Sequence, residues 1–338
     1  IRFLFANIRQ KRYNTYIMWI ACVLVYAIIN GFFSVLRKKA GERSHILFVI
    51  ALYSTVGFLC VSWGAVDASS LTGQALILII IKSFVVSLSW VFELIALKNY
   101  MISSLQPISA VKVAIGFFAS MLIFHEANGW WRYIGLAIIF VGLILMNNFD
   151  RRAINRSKET LSSQAVITKP VAQDVGESTN QKVSSNDDIL TLKRKRILAI
   201  VCFIIACVCS ETAGILDKFI MDRATPTQMQ FWFMLFVSII SWANVLILSI
   251  KNKKSIIRKS DWKNFYIYII GVILILQDRF LFIGLTDPNV LVSGVSIMKQ
   301  ISVVVSTIVG GLIFKEQNLK QKIIYLVIIL TGIIIVIV

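Results

Sequence analysis

Apolar runs of about 20 residues recur along the whole chain, broken by short clusters of basic, amide and glycine residues, and none of them alternates with a period of two. A run of that length is what an α-helix needs to cross the hydrocarbon of a bilayer, whereas strands of a membrane barrel would alternate polar and apolar positions. The pattern predicts helices at about 15–36, 45–64, 74–97, 99–124 and 130–147. Five more follow at about 197–218, 227–250, 262–283, 287–314 and 319–338. The fold class expected is therefore an all-α integral membrane protein with ten transmembrane helices, its first helix acting as the insertion signal and no cleavable signal peptide.

Between the two sets, residues 148–196 are rich in Ser, Thr, Asn, Gln and charge, too poor in apolar surface to offset the entropy of ordering. They are expected to form a disordered polar linker, so that 1–147 and 197–338 are two five-helix units. A sequence repeat supports the division. Ile123-Phe124-His125-Glu126 closes the fourth predicted span, and Ile313-Phe314-Lys315-Glu316 closes the ninth. Gly31-Phe32-Phe33 with Gly41 likewise resembles Gly214-Ile215-Leu216 with Ala224. Because five is odd, two such units in one chain cross the membrane in opposite senses, which makes the repeat inverted.

Composition narrows the function classes. Of 338 residues, 57% are hydrophobic and 15% charged, against roughly 25% charged in soluble domains. The net charge of +18 does not suggest nucleic acid, since the basic residues gather at the ends of apolar spans. They favour the loops after the first, third, fifth, seventh and ninth spans, which places those loops in the cytoplasm and both ends of the chain outside. Arg151-Arg152 and Lys193-Arg194-Lys195-Arg196 bound the linker and either set topology or bind anionic lipid. Cys22, Cys60, Cys202, Cys207 and Cys209 lie in apolar runs as packing residues, and His45 and His125 stand alone, so neither a metal nor another cofactor is expected.

Charges inside apolar spans are the candidates for chemistry, because each costs a few kcal/mol unless it faces a cavity or a partner. Lys82 and Glu93 share the third span with Trp90; Glu211, Asp217 and Lys218 fall in the sixth, Gln277, Asp278 and Arg279 in the eighth. Lys112 and Lys299 sit at similar depth on the fourth and ninth spans: aligned on the repeated motif, Lys299 corresponds to Ser109, one turn from Lys112. These two ammonium groups either bind substrate or are neutralised by carboxylates such as Glu211 or Asp278. Glu93 either faces the cavity or reaches the headgroups. Glu211 and Asp278 are the candidates for coupling, Glu211 foremost because a buried carboxyl can bind and release a proton. Glu126 and Glu316 are expected to cap or tie helix ends. Pro107 and Gly310-Gly311 are either hinges or packing positions.

Five-plus-five architecture, Ala96-Leu97-Lys98-Asn99 leading into the fourth span, Pro107 early in it, and Gly310-Gly311-Leu312-Ile313-Phe314-Lys315-Glu316 closing the ninth resemble the EamA-type carriers of the drug/metabolite transporter superfamily. The resemblance covers nearly the whole chain except the linker, which is longer than usual. It implies a secondary active transporter in the cell membrane, working by alternating access around a central cavity. It also implies that the helices bearing Tyr26, Asn30, Trp90, Gln230 and Trp232 line that cavity, although packing or an interfacial position serves the aromatic residues equally well. Many relatives have cytoplasmic termini, which the charge bias here opposes.

With Lys112 and Lys299 at depth, the expected substrate is a small anionic or zwitterionic metabolite, an amino acid first. Sugars, quaternary amines and drug-like solutes are alternatives, as is a sensor or scaffold that transports nothing. No Gly-x-x-x-x-Gly-Lys-Ser/Thr sequence occurs to bind ATP, and no cluster of His, Asp and Glu supports an intramembrane enzyme. The partners expected are the solute and the bilayer, with no nucleic acid, in a monomer or homodimer.

Overall fold

The computed structural model describes residues 2–123, 125, 129–142, 144–146, 148–149, 180–252, 257–286, 290, 292–315 and 319–337. Glu126, Glu316 and most of the linker lie outside them. The described residues form helices and connecting loops, with no strand among them.

In the first half α1 spans Arg2–Arg43, α2 Ile46–Val61 and α3 Gly73–Asn99. There follow a single turn, α4 (Ile102–Leu105), a 3₁₀ segment over Gln106–Ala110, α5 (Val111–Ile123) and an apolar helix α6 over Trp130–Met146. The second half has α7 (Asn180–Met221), α8 (Pro226–Lys251), α9 (Phe265–Leu285), the short α10 (Val292–Met298), α11 (Ile301–Ile313) and α12 (Leu319–Ile337). Among the described residues, seven segments are long and apolar enough to cross a membrane: Met18–Arg43, Ile46–Gly64, Gly73–Asn99, Arg194–Met221, Pro226–Lys251, Phe265–Leu285 and Gly294–Ile313. Val111–Ile123, Trp130–Met146 and Gln321–Ile335 are apolar but shorter.

Three features differ from the sequence expectation. First, α7 starts at Asn180, so residues 180–196 are helical where disorder is expected. Second, α1 runs on through Arg37, Lys38 and Lys39 to Arg43, past the basic residues that mark its expected end. Third, neither the fourth nor the ninth predicted span is continuous. The former changes to 3₁₀ geometry at Gln106, where Pro107 removes a backbone donor, and the latter breaks at Lys299-Gln300.

Local sequence explains several ends. Before α8, Thr225 accepts a hydrogen bond from the Gln228 N–H (3.3 Å) while the Gln228 side chain accepts from the Thr225 N–H (2.9 Å), with Pro226 at the first helical position. In the repeated Ile-Phe-x-Glu motifs the x residues, His125 and Lys315, share a left-handed backbone, each with φ 49°. At the second motif the chain turns off α11 through Phe314 N–H to Gly310 O (2.9 Å) and Lys315 N–H to Leu312 O (3.3 Å). The repeat thus encodes a helix stop.

The halves are interleaved. α1 packs on α9 and α11, α3 on α7 and α8, α2 on α8 and α9, and α5 on α7 and α10. A single apolar core built from Phe48, Tyr53, Trp90, Phe233 and Phe282 therefore draws on both halves. Gly310 is a packing position: a Cβ there would lie 2.6 Å from Ile102 Cγ2, where α11 crosses α4.

A left-handed residue with a Cβ costs about 1–2 kcal/mol, and both positions are exposed. Lys315→Gly and His125→Gly should each raise unfolding stability by up to ~1 kcal/mol, while Lys315→Val should lower it by a similar amount. Thermal denaturation of the purified protein in detergent checks this; a neutral Lys315→Val would contradict the strained stop.

Candidate functional site

Where the two helix breaks approach each other, the interleaved bundle leaves a cavity of about 140 Å³, lined from α1, α3, α7, α9 and both interrupted spans. The breaks are tied together, with Ser109 Oγ donating to Gln300 Oε1 at 3.3 Å. Four basic side chains line the cavity, Arg37, Lys82, Lys112 and Lys299. Four acidic ones oppose them, Glu93, Glu211, Asp217 and Asp278, so the formal charge is balanced.

Two pairs are closed. Arg37 Nη1 lies 2.8 Å from Glu93 Oε2, and Nη2 donates to Trp90 O at 3.2 Å. The guanidinium also lies 5.2 Å from the Phe33 ring centre and 5.9 Å from those of Tyr53 and Trp90, an aromatic surround that replaces lost hydration. Lys82 of α3 pairs with Asp217 of α7, both almost fully buried, and its ammonium lies 4.0 Å from the Phe233 ring centre. This pair ties the first half to the second.

The other four charges hold no ion pair. Lys112 Nζ donates to Ser210 Oγ at 3.1 Å. Glu211 accepts a hydrogen bond from Ser296 Oγ, near the end of α10. Room for that contact comes from Gly116 on α5, where a Cβ would lie 2.5 Å from Glu211 Oε1 and 2.6 Å from Ser296 Oγ. Lys299 sits in the second break, its ammonium 5.7 Å from the Tyr26 ring centre. Asp278 lies in the field of Lys82, Asp217 and Lys299, beside the side chain of Gln277.

Tyr26, Asn30, Trp90, Glu93, Lys112, Glu211, Asp278 and Lys299, all singled out from sequence, are thus gathered around one cavity. Gln230 and Trp232 are not. Gln230 Nε2 donates to Ile275 O at 2.8 Å, and Trp232 Nε1 to Ala68 O at 3.0 Å, so both side chains are committed to backbone carbonyls of other elements. Asp278 and Arg279 do splay: Arg279 Nη1 turns to Thr227 Oγ1 at 3.0 Å while Asp278 faces the cavity. Arg37 is the lining charge that sequence reasoning passed over. No cluster of potential metal ligands occurs among the described residues.

Residues 197–338 match the EamA-like transporter family. That match spans 142 of the 338 residues, the second of the two units. With its long apolar helices, the chain is a multi-pass membrane protein. No curated protein matches the chain. Among 18 matching chains of solved structures, one titled only "Crystal structure of protein" has a TM-score of 0.58 at 11% identity. The match covers 96% of this chain and 97% of that one, which establishes a shared fold.

Removing Glu93 leaves the Arg37 guanidinium buried without its counter-charge, and breaking a buried pair costs about 3–5 kcal/mol. Glu93→Ala should therefore destabilise the protein by about 3 kcal/mol, and Arg37→Met on top of it should recover at least ~1 kcal/mol. Chemical denaturation of the single and double variants measures the coupling; strictly additive losses would show that the pair contributes none.

Proposed function

We propose that this protein belongs, as its second unit suggests, to the EamA-like transporter family, and that it is a secondary carrier for a small zwitterionic metabolite, an amino acid in the first instance, working by alternating access. The observation that carries the proposal is the charge-balanced cavity enclosed by helices of both halves. Four basic and four acidic side chains favour a solute that brings both signs, whereas a purely anionic solute would leave excess charge in a low-dielectric site.

Among the described residues, seven long apolar segments, with three shorter apolar helices beside them, support the reading of ten spans. The packing is reciprocal: α1, first in its half, lies on α9, third in the other, and α7 on α3 in the same way. Both halves interrupt the fourth of their spans and stop that span with a left-handed residue. These correspondences support two inverted five-helix repeats, with discontinuous helices meeting at the solute site as in other carriers built on inverted repeats. Rocking one half against the other would have to break and remake the Ser109–Gln300 bond, the tie between the two breaks.

Glu211 is the coupling carboxylate in this scheme. It reaches from α7 to Ser296 beside the second break, so protonation at Glu211 would alter a contact between elements that must separate.

Purified protein in liposomes preloaded with neutral amino acids should show saturable counterflow of the labelled solute, abolished by excess unlabelled solute. Absence of saturable flux for amino acids, sugars and amines alike would defeat the carrier assignment. Glu211→Gln should retain counterflow, which needs no net proton movement, and lose uptake driven by an imposed pH gradient. Retention of gradient-driven uptake at the wild-type rate would remove Glu211 from coupling.

A further inference from the structure

The buried polar groups around the cavity divide into those that protein contacts satisfy and those that they leave open, and, outside the two ion pairs, the open ones are segregated by sign. Arg37 with Glu93 and Lys82 with Asp217 are ion pairs, Lys112 is taken up by Ser210, and Glu211 by Ser296. Gln300 is occupied at both ends, accepting from Ser109 and donating to Ser296 O at 3.4 Å. Among the described residues, Lys299, by contrast, has no carboxylate within 4.0 Å and Asp278 no ammonium or guanidinium. Outside the two ion pairs, whose Arg37 Nε and Asp217 Oδ1 likewise make no hydrogen bond, Gln106 Nε2 and Gln277 Oε1 are buried with no hydrogen-bond partner, in residues 5% and 3% exposed. A buried polar atom left so costs about 1–3 kcal/mol, which a ligand of matching polarity would recover.

The open donors, Lys299 and Gln106, both stand on the interrupted spans, one in each helix break. The open acceptors, Asp278 and Gln277, both stand on α9. Two further features fit this polarity. The N-terminal end of α11 begins immediately after Lys299-Gln300 and adds partial positive charge on the donor side. The Tyr26 ring lies beneath the Lys299 ammonium and holds it in the cavity without neutralising it.

We propose that the cavity is polarised, binding a zwitterionic solute in one orientation, with its carboxylate at Lys299 and Gln106 on the helix breaks and its ammonium at Asp278 and Gln277 on α9. This rests on the carrier reading above and goes beyond it in naming which groups take which end of the solute. It also moves Asp278 from coupling to recognition and leaves coupling to Glu211. Requiring both ends of the solute at once makes the site select against metabolites that carry only one, because the unmatched charge of the protein is then desolvated without recompense.

The test sets neutral amino acids of increasing side chain beside their des-amino carboxylates and their decarboxylated amines, read by thermal shift of the purified full chain and by competition in liposome counterflow. The wild-type protein should bind at least one zwitterion ten-fold or more tighter than either of its one-ended counterparts. Lys299→Gln should weaken the zwitterion at least ten-fold while leaving the matched amine unchanged, and Asp278→Asn should do so while leaving the matched carboxylate unchanged. If either variant lacks a cooperative unfolding transition, Gln106→Ala and Gln277→Ala replace it, each expected to weaken the zwitterion several-fold with the same selectivity for one end. Saturable counterflow with no preference for zwitterions, or variants that weaken all three solute classes equally, would overturn the polarised site and leave the carrier standing. No flux and no stabilisation by any probe would overturn both.

Discussion

The organising constraint on this protein is the expense of charge in a low-dielectric interior. Eight ionisable side chains face one cavity, and the bundle tolerates them because their signs balance and each has an answering group, in contact or in the field across the cavity. The Lys82–Asp217 pair joins α3 to α7 and the Arg37–Glu93 pair joins α1 to α3, so the electrostatic requirement also fixes how the first helices of the two halves lie against the third. Packing follows from that placement. Phe33, Tyr53, Trp90 and Phe233 close around the buried cations and continue into the apolar core.

The second device is backbone and not side chain. Interrupting a helix inside the bundle frees carbonyl and amide groups that must be satisfied locally, which is tolerable only beside a cavity or a polar partner. The two interruptions answer that by lying beside the same cavity and bonding to each other through Ser109 and Gln300. Each interrupted span ends at a residue forced into the left-handed region, His125 or Lys315. Repetition of that stop is what the Ile-Phe-x-Glu motif records.

Much of this was legible in the sequence because the bilayer constrains helix length so strongly. Apolar runs placed helical segments, and charge at depth within a span made Lys112, Lys299, Glu211 and Asp278 candidates for the cavity. What sequence could not show was chiefly relational. Arg37-Lys38-Lys39 looked like the basic end of a span, and only the continuation of α1 against α3 turns Arg37 into a buried partner of Glu93. The break at Lys299-Gln300 has no proline to announce it; it follows from tertiary contacts. Gln230 and Trp232 have the chemistry of ligands but spend it on carbonyls of Ile275 and Ala68. Residues 180–196, polar enough to suggest disorder, extend a helix whose apolar continuation is anchored in the bundle.

Gly116 gives the cavity an unusual vulnerability. The position carries no charge and makes no hydrogen bond through a side chain, yet its missing Cβ is the socket in which Glu211 meets Ser296. A single methyl group there would displace a carboxylate and so alter the electrical balance of the whole chamber. Steric bulk on one helix is converted into a change of field on another, and a mutation that every charge count would score as silent becomes an electrostatic one.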